Sequence, residues 1–161
     1  MAGGGTDRLP VLGEAQAALR ALGAGRAALH QRPAGRGHWF ADWSGPLAGS
    51  DVYVAVMGRS ATARKVRVVL DDWILEDVAV GRVGAVLTAV FAPGAGREAG
   101  EGSAAIRVKR AYFVLPVQEL RVSAGRARYA AVKKLPAEGS EHAAWELALM
   151  AGQSGAGGAA G

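Results

Sequence analysis

Val52, Val54 and Val56 alternate with Tyr53, Ala55 and Met57, so Asp51–Arg59 reads as a strand with two apolar faces, central in a sheet or curled in a barrel. Arg64–Leu70 alternates more sharply: Val66, Val68 and Leu70 point inward, Lys65 and Arg67 outward. Asp71–Asp72 makes a turn into a third strand, Trp73–Val80. The short continuous apolar run Val83–Phe91 predicts a further strand, with a Gly-rich loop, Ala92–Gly102, behind it. Ala104–Leu135 reads as two β-prone segments joined by a turn around Ser123–Gly125. There Ile106, Val108, Tyr112 and Val114 share a face on which Arg110 also falls. A lone buried Arg is costly, so either a bulge shifts the register or that face is open to a ligand.

Two stretches carry the helical period instead. Pro10 suits a first helical turn, and Leu12, Ala15, Leu19, Leu22 and Leu29 form one stripe, predicting a helix to about Leu22, before Gly23 and Gly25. Near the other end, Ser140 caps a helix whose buried side is Trp145, Ala148 and Leu149 and which Gly152 ends. Residues 31–50, with Pro33, Pro46 and several Gly, read as a loop whose Trp39, Phe40 and Trp43 plug a barrel end or form a contact surface. The expected organisation is a disordered start (1–8), one domain (9–150) and a Gly-rich tail (151–161). The expected fold is mainly β, an OB-like small closed barrel with an N-terminal and a C-terminal helix; an antiparallel sheet with helices on one face is the alternative.

At 161 residues the chain can bury a sizeable core. The absence of cysteine excludes a disulfide scaffold, a cysteine-based zinc site and a thiol nucleophile. No apolar run reaches membrane-span length, and the first residues lack the order of a secretion signal. The Ala-rich, Arg-containing first 36 residues have the look of a transit peptide, against which Asp7 and Glu14 count.

Charge changes the picture most. The net charge is +5, yet 104–135 alone holds eight basic residues against Glu119. Phosphates need counter-charge and bases need flat partners, so basic strands with interleaved aromatics fit a nucleic-acid groove. The candidate groove residues are Lys65, Arg67, Arg107, Lys109, Arg110, Phe113, Arg126, Arg128 and Tyr129. An Arg-rich composition is also what a GC-rich genome produces.

Catalytic motifs are missing. The Gly-rich loop at 94–102 has no Lys-Ser/Thr after it, and Gly152–Ala156 is not a nucleophile elbow. His142 and Glu146, four apart on a helix, are short of a third metal ligand. Asp71, Asp72, Glu76 and Asp77 read as a solvated hairpin. No cofactor, metal or catalytic residue is expected.

Ala131–Met150 (AVKKLPAEGSEHAAWELALM) resembles the last strand and closing helix of the smaller OB-fold subunit of the RecQ-mediated genome instability complex. The matching positions are Ala131, Val132 and Lys133, then Trp145, Glu146 and Leu147. Ala34–Gly37 and Met57-Gly58-Arg59 are similar to further parts of that family. Asp71-Asp72-Trp73 stands where the family has a D-x-[ST]-G turn, and 83–103 has no counterpart. The resemblance implies a non-catalytic subunit that pairs with another OB-fold protein or larger complex, with Trp145, Leu147 and Leu149 at the interface. It implies little direct DNA binding, at odds with the basic strands.

Together these features predict a non-enzymatic OB-fold module in nucleic-acid metabolism. It is either a subunit of a DNA repair or recombination complex or a binder of single-stranded DNA or RNA, intracellular, and nuclear in a eukaryote. The alternative is a structural or assembly protein, such as a viral or phage component, on an antiparallel sheet; an enzyme with an unrecognised site ranks last.

Overall fold

The computed structural model describes residues 9–92, 102–111, 115–135 and 142–157. The chain runs α1 (Pro10–Ala21), β1 (His30–Pro33), β2 (Trp39–Leu47), β3 (Ser50–Gly58), β4 (Lys65–Leu70), β5 (Trp73–Ala79), a 3-10 turn (Val80–Arg82), α2 (Val83–Phe91), β6 (Gly102–Ala111), β7 (Leu115–Ala124), β8 (Ala127–Lys134) and α3 (Ala144–Gly157). The fold is mainly β, as expected. The strands form two antiparallel sheets, in the orders β1-β2-β3-β4-β5 and β6-β7-β8. No closed barrel is found among the described residues. Within each sheet every strand pairs with its sequence neighbours, and no ladder among the described residues joins the edge strands as closure of a barrel requires.

Alternation builds the inner face of the larger sheet. Val52, Val54 and Val56 of β3 and Val66, Val68 and Leu70 of β4 are buried, while Lys65 and Arg67 stay in water. That is the register in which both charges remain solvated. Between Val66 and Val68 the pairing with β5 shifts, and Asp77 adopts φ 54°, a conformation Asp tolerates better than most residues.

The stretch read as a loop is largely strand. In β2, Trp39, Ala41 and Leu47 are buried and Trp43 packs against the core, while Phe40, Asp42 and Ser44 take the other face. Pro33 and Pro46 misled because both sit where proline is tolerated in a sheet, on the short edge strand β1 and next to the β2–β3 turn. Val83–Phe91 is a helix, not a strand. Arg82, Ala85 and Thr88 are exposed at three-residue steps, and most of the remaining helical positions are buried, so a helix dips into the core. At Gly84 α2 lies close to α1, where a Cβ would touch the Glu14 carbonyl at 3.6 Å.

The basic region makes three strands rather than two. Gly125, at φ 63°, supplies the left-handed turn between β7 and β8, and a Cβ there would strike the Arg82 guanidinium. The β6–β7 ladder runs without a bulge from Gly102 to Ala111, so the register shift weighed for this strand does not occur. Val108, in the same row as the buried Ile106, is 56% exposed. Tyr112, Phe113 and Val114 lie outside the described residues, as do Ser140 and most of the Gly-rich loop.

β8 lies beside β5 without joining its ladder. The Tyr129 hydroxyl accepts the Ala79 N–H at 3.2 Å, and the Lys133 ammonium sits 4.5 Å from the centre of the Trp73 ring. The inner faces of both sheets and all three helices share one core.

α3 closes that core through a reciprocal pair of contacts. Trp145 donates its indole N–H to Asp71 at 2.8 Å, and Trp73 donates its own to Glu146 at 3.1 Å. Glu146 also accepts from Lys133 at 2.8 Å and from the Ala143 N–H at 3.1 Å. Burial works to raise its pKa; the hydrogen bonds from Lys133 and Ala143, with the Lys133 charge and the Trp73 bond, hold it below the ordinary carboxylate value. α3 departs from the expected helix in two ways. Ala148 is exposed, and the helix continues past Gly152 to Gly157.

Candidate nucleic-acid interface

Strand pleating sorts the basic region into two rows. On the outer face of the smaller sheet lie Arg107 and Lys109 of β6, Arg121 of β7, and Arg128 and Lys134 of β8, all exposed. The inner row holds Ala104, Ile106, Leu120, Val122 and Ala131 in the core, together with Tyr129 and Lys133.

Glu119 is the acid in this outer row. It sits on the central strand, directly opposite Arg107 on one side and Val132 on the other. Three cations reach it: Arg121 Nε to Oε1 at 2.5 Å, Arg107 Nε to Oε1 at 3.6 Å, and Lys109 Nζ to Oε2 at 3.3 Å. They cover it, leaving its side chain 6% exposed, while their own side chains remain about half in solvent, at 44%, 52% and 55% for Arg107, Lys109 and Arg121. Burial works to raise the Glu119 pKa, and the hydrogen bonds and charges of Arg121 and Lys109 overcome it, so the carboxyl is held below its ordinary value.

The other candidates scatter. Arg126 is exposed at the β7–β8 turn, and Arg128 donates to the Ser123 hydroxyl at 3.1 Å. Arg110 lies on β6, paired with Pro116 in the β6–β7 ladder. Lys65 and Arg67 belong to the larger sheet, where Arg67 pairs with Glu76 at 2.7 Å. They border a separate cavity of about 750 Å³ that Phe40, Tyr53 and Met57 also line. Tyr129 is not on the basic face: its ring packs against the core and its hydroxyl is bonded to Ala79, so it is no stacking platform there. Phe113 lies outside the described residues. The basic face therefore carries no aromatic ring among the described residues.

Two of the three expected interface residues are internal. Trp145 is 2% exposed, with its ring 5.3 Å from Phe91 in an edge-on arrangement, and Leu149 is fully buried. An indole wedged between α2 and the β4–β5 turn is unavailable to a partner. Leu147 is 52% exposed.

Arg121, Glu119 and Lys134 were missed as site residues. Two-residue alternation from Glu119 and Arg107 places the two arginines and the acid on one face, but only the strand register shows that they meet. Both members of the weighed metal pair have other partners. Glu146 is engaged by Lys133 and Trp73, and a 2.9 Å hydrogen bond joins His142 to Gln118. Among the described residues no group of three His, Cys, Asp or Glu is placed to hold a metal ion. No helix of the described residues is long and apolar enough to cross a membrane.

No protein-family model, curated protein or solved structure matches this chain.

Proposed function

We propose that the chain is a non-catalytic binding module that holds a nucleic acid against the outer face of β6, β7 and β8, through phosphates rather than bases. The observation that carries this reading is the outer row itself: Arg107, Lys109, Arg121, Arg128 and Lys134 on three adjacent strands, with Glu119 the one carboxylate among them. Cations at strand spacing suit a repeating anion, whereas stacking on bases needs aromatic rings, which this face lacks among the described residues.

Anisotropy of a labelled oligonucleotide, single-stranded and duplex, across salt concentrations tests it. Each phosphate contact contributes about 0.7 to the log–log salt slope for a single strand and about 0.9 for a duplex. Replacing Arg107 and Lys109 with Ala lowers the single-strand slope by about 1.4 and weakens all sequences alike. Tyr129→Phe leaves the affinity unchanged. No binding even at low salt removes the proposal.

A second reading, a subunit of a DNA repair or recombination complex, draws on the resemblance of Ala131–Met150 and on the exposed Leu147. The OB-like fold, a companion OB-fold protein and an intracellular, in eukaryotes nuclear, location belong to that reading. It predicts that Leu147→Asp abolishes co-purification with a companion subunit while oligonucleotide affinity stays at background.

A further inference from the structure

Three cations on one buried carboxylate can be arranged in two ways. If both guanidiniums turned their terminal forks to the acid, the cluster would be satisfied and inert. Here both arginines turn Nε toward Glu119 Oε1, Arg121 in a hydrogen bond at 2.5 Å and Arg107 in a looser ion pair at 3.6 Å, and no other carboxylate pairs with either guanidinium among the described residues. Lys109 uses one of its three N–H donors on Oε2. Each cation is thus tethered at the acid yet about half exposed, with donors to spare.

Register explains why the three meet. Arg107 is directly across from Glu119 in the β6–β7 ladder, Arg121 is two residues along β7 on the same face, and Lys109 is the diagonal neighbour. Rigid strands, not a loop, therefore set the separation of the cations. Side chains held before a ligand arrives lose less conformational entropy on binding it.

We infer that Arg107, Lys109 and Arg121, gathered on Glu119, form a site for one phosphate group, with Glu119 as its positioning residue. The ligand is a tetrahedral phosphate dianion or diester, taken by the two free guanidinium forks and the ammonium. The inference deepens the nucleic-acid reading and, where the phosphate is a backbone diester, rests on it. Free phosphate is the other source of the same chemistry.

Electrostatics alone and positioning predict opposite signs. Glu119→Gln removes a negative charge, so charge alone makes anion binding tighter. Positioning makes it weaker, because the amide no longer gathers three cations, and the expected loss of oligonucleotide affinity is on the order of tenfold. Arg121→Lys keeps the charge on an exposed position but lacks the fork, and it is expected to weaken binding by roughly threefold or more. Circular dichroism establishes that each full-length variant is folded; should Glu119→Gln not fold, Arg121→Lys decides alone. Orthophosphate is titrated in parallel, following the Arg Nε–H resonances of Arg107 and Arg121.

If the oligonucleotide binds the native chain and Glu119→Gln binds as tightly or more tightly, the phosphate site is overturned and the nucleic-acid reading stands. Unchanged affinity in Arg121→Lys overturns the site as well. If no oligonucleotide binds but orthophosphate shifts both arginine resonances, the site stands and takes free phosphate, while the nucleic-acid reading falls. Silence from both ligands ends both.

Discussion

Gly58 shows how closely single residues are fitted here. It faces Trp39 across the β2–β3 ladder, and the indole lies flat over it, so an added Cβ would come within 2.5 Å of the ring. The ring cannot slide away freely, because its Nε1–H donates to the Ser60 carbonyl at 2.9 Å. Gly58→Ala must therefore break that bond or push the strands apart, and roughly 1–3 kcal/mol of stability is expected to go, read from denaturant midpoints. A variant as stable as the native chain would mean that the indole has other room. The same residue scale separates Tyr129 from its basic neighbours: a two-residue period puts Arg128 in water and Tyr129 at the core.

Among the elements, α3 is the one whose loss the core would feel most directly. Trp145 fills space against Phe91, and its N–H is tied to Asp71. Trp145→Ala is expected to cost roughly 3–5 kcal/mol in chemical denaturation, by removing a large buried ring and leaving Asp71 Oδ2 without its indole donor, while Oδ1 keeps the Tyr53 N–H. A cost below about 1 kcal/mol would show that α3 does not close the core. α2 carries the opposite lesson. VGAVLTAVF is too short and too evenly apolar for its period to be read, and packing against α1 and the smaller sheet decides that it is a helix.

For the whole molecule, the junction between the two sheets depends on charge. Glu146, on α3, binds Lys133 of the smaller sheet and Trp73 of the larger one, so one carboxylate joins three elements. Its pKa is lowered from the ordinary 4.5, so ionised Glu146 contributes stability that is fully present above that value. The contribution is lost as pH falls through the depressed native pKa. Acid unfolding of the native chain should therefore steepen below about pH 4.5. Glu146→Gln, which does not titrate, is expected to flatten that part of the stability curve. An unchanged acid limb would place the titrating group elsewhere.

Much of this was written in local pattern. The alternation of Val66, Val68 and Leu70 with Lys65 and Arg67 fixes a strand and its faces, and Pro10 with the Leu12–Leu19 stripe fixes a helix, because both depend on neighbours within a turn or a pleat. The charge concentrated after Ala104 likewise marks the part of the chain that forms the basic face. Tertiary structure decided what involves distant partners. The sheets stay open because their edge strands do not pair among the described residues, a choice among edges that no single segment encodes. The resemblance puts Trp145 at an interface and the helical period puts it on a buried side; it is core because Asp71 and Phe91, more than fifty residues earlier in the sequence, come to meet it. Glu119 read as a minor offset in a basic run; the β6–β7 register, which sets Arg107 across from it, makes it the centre of the candidate site.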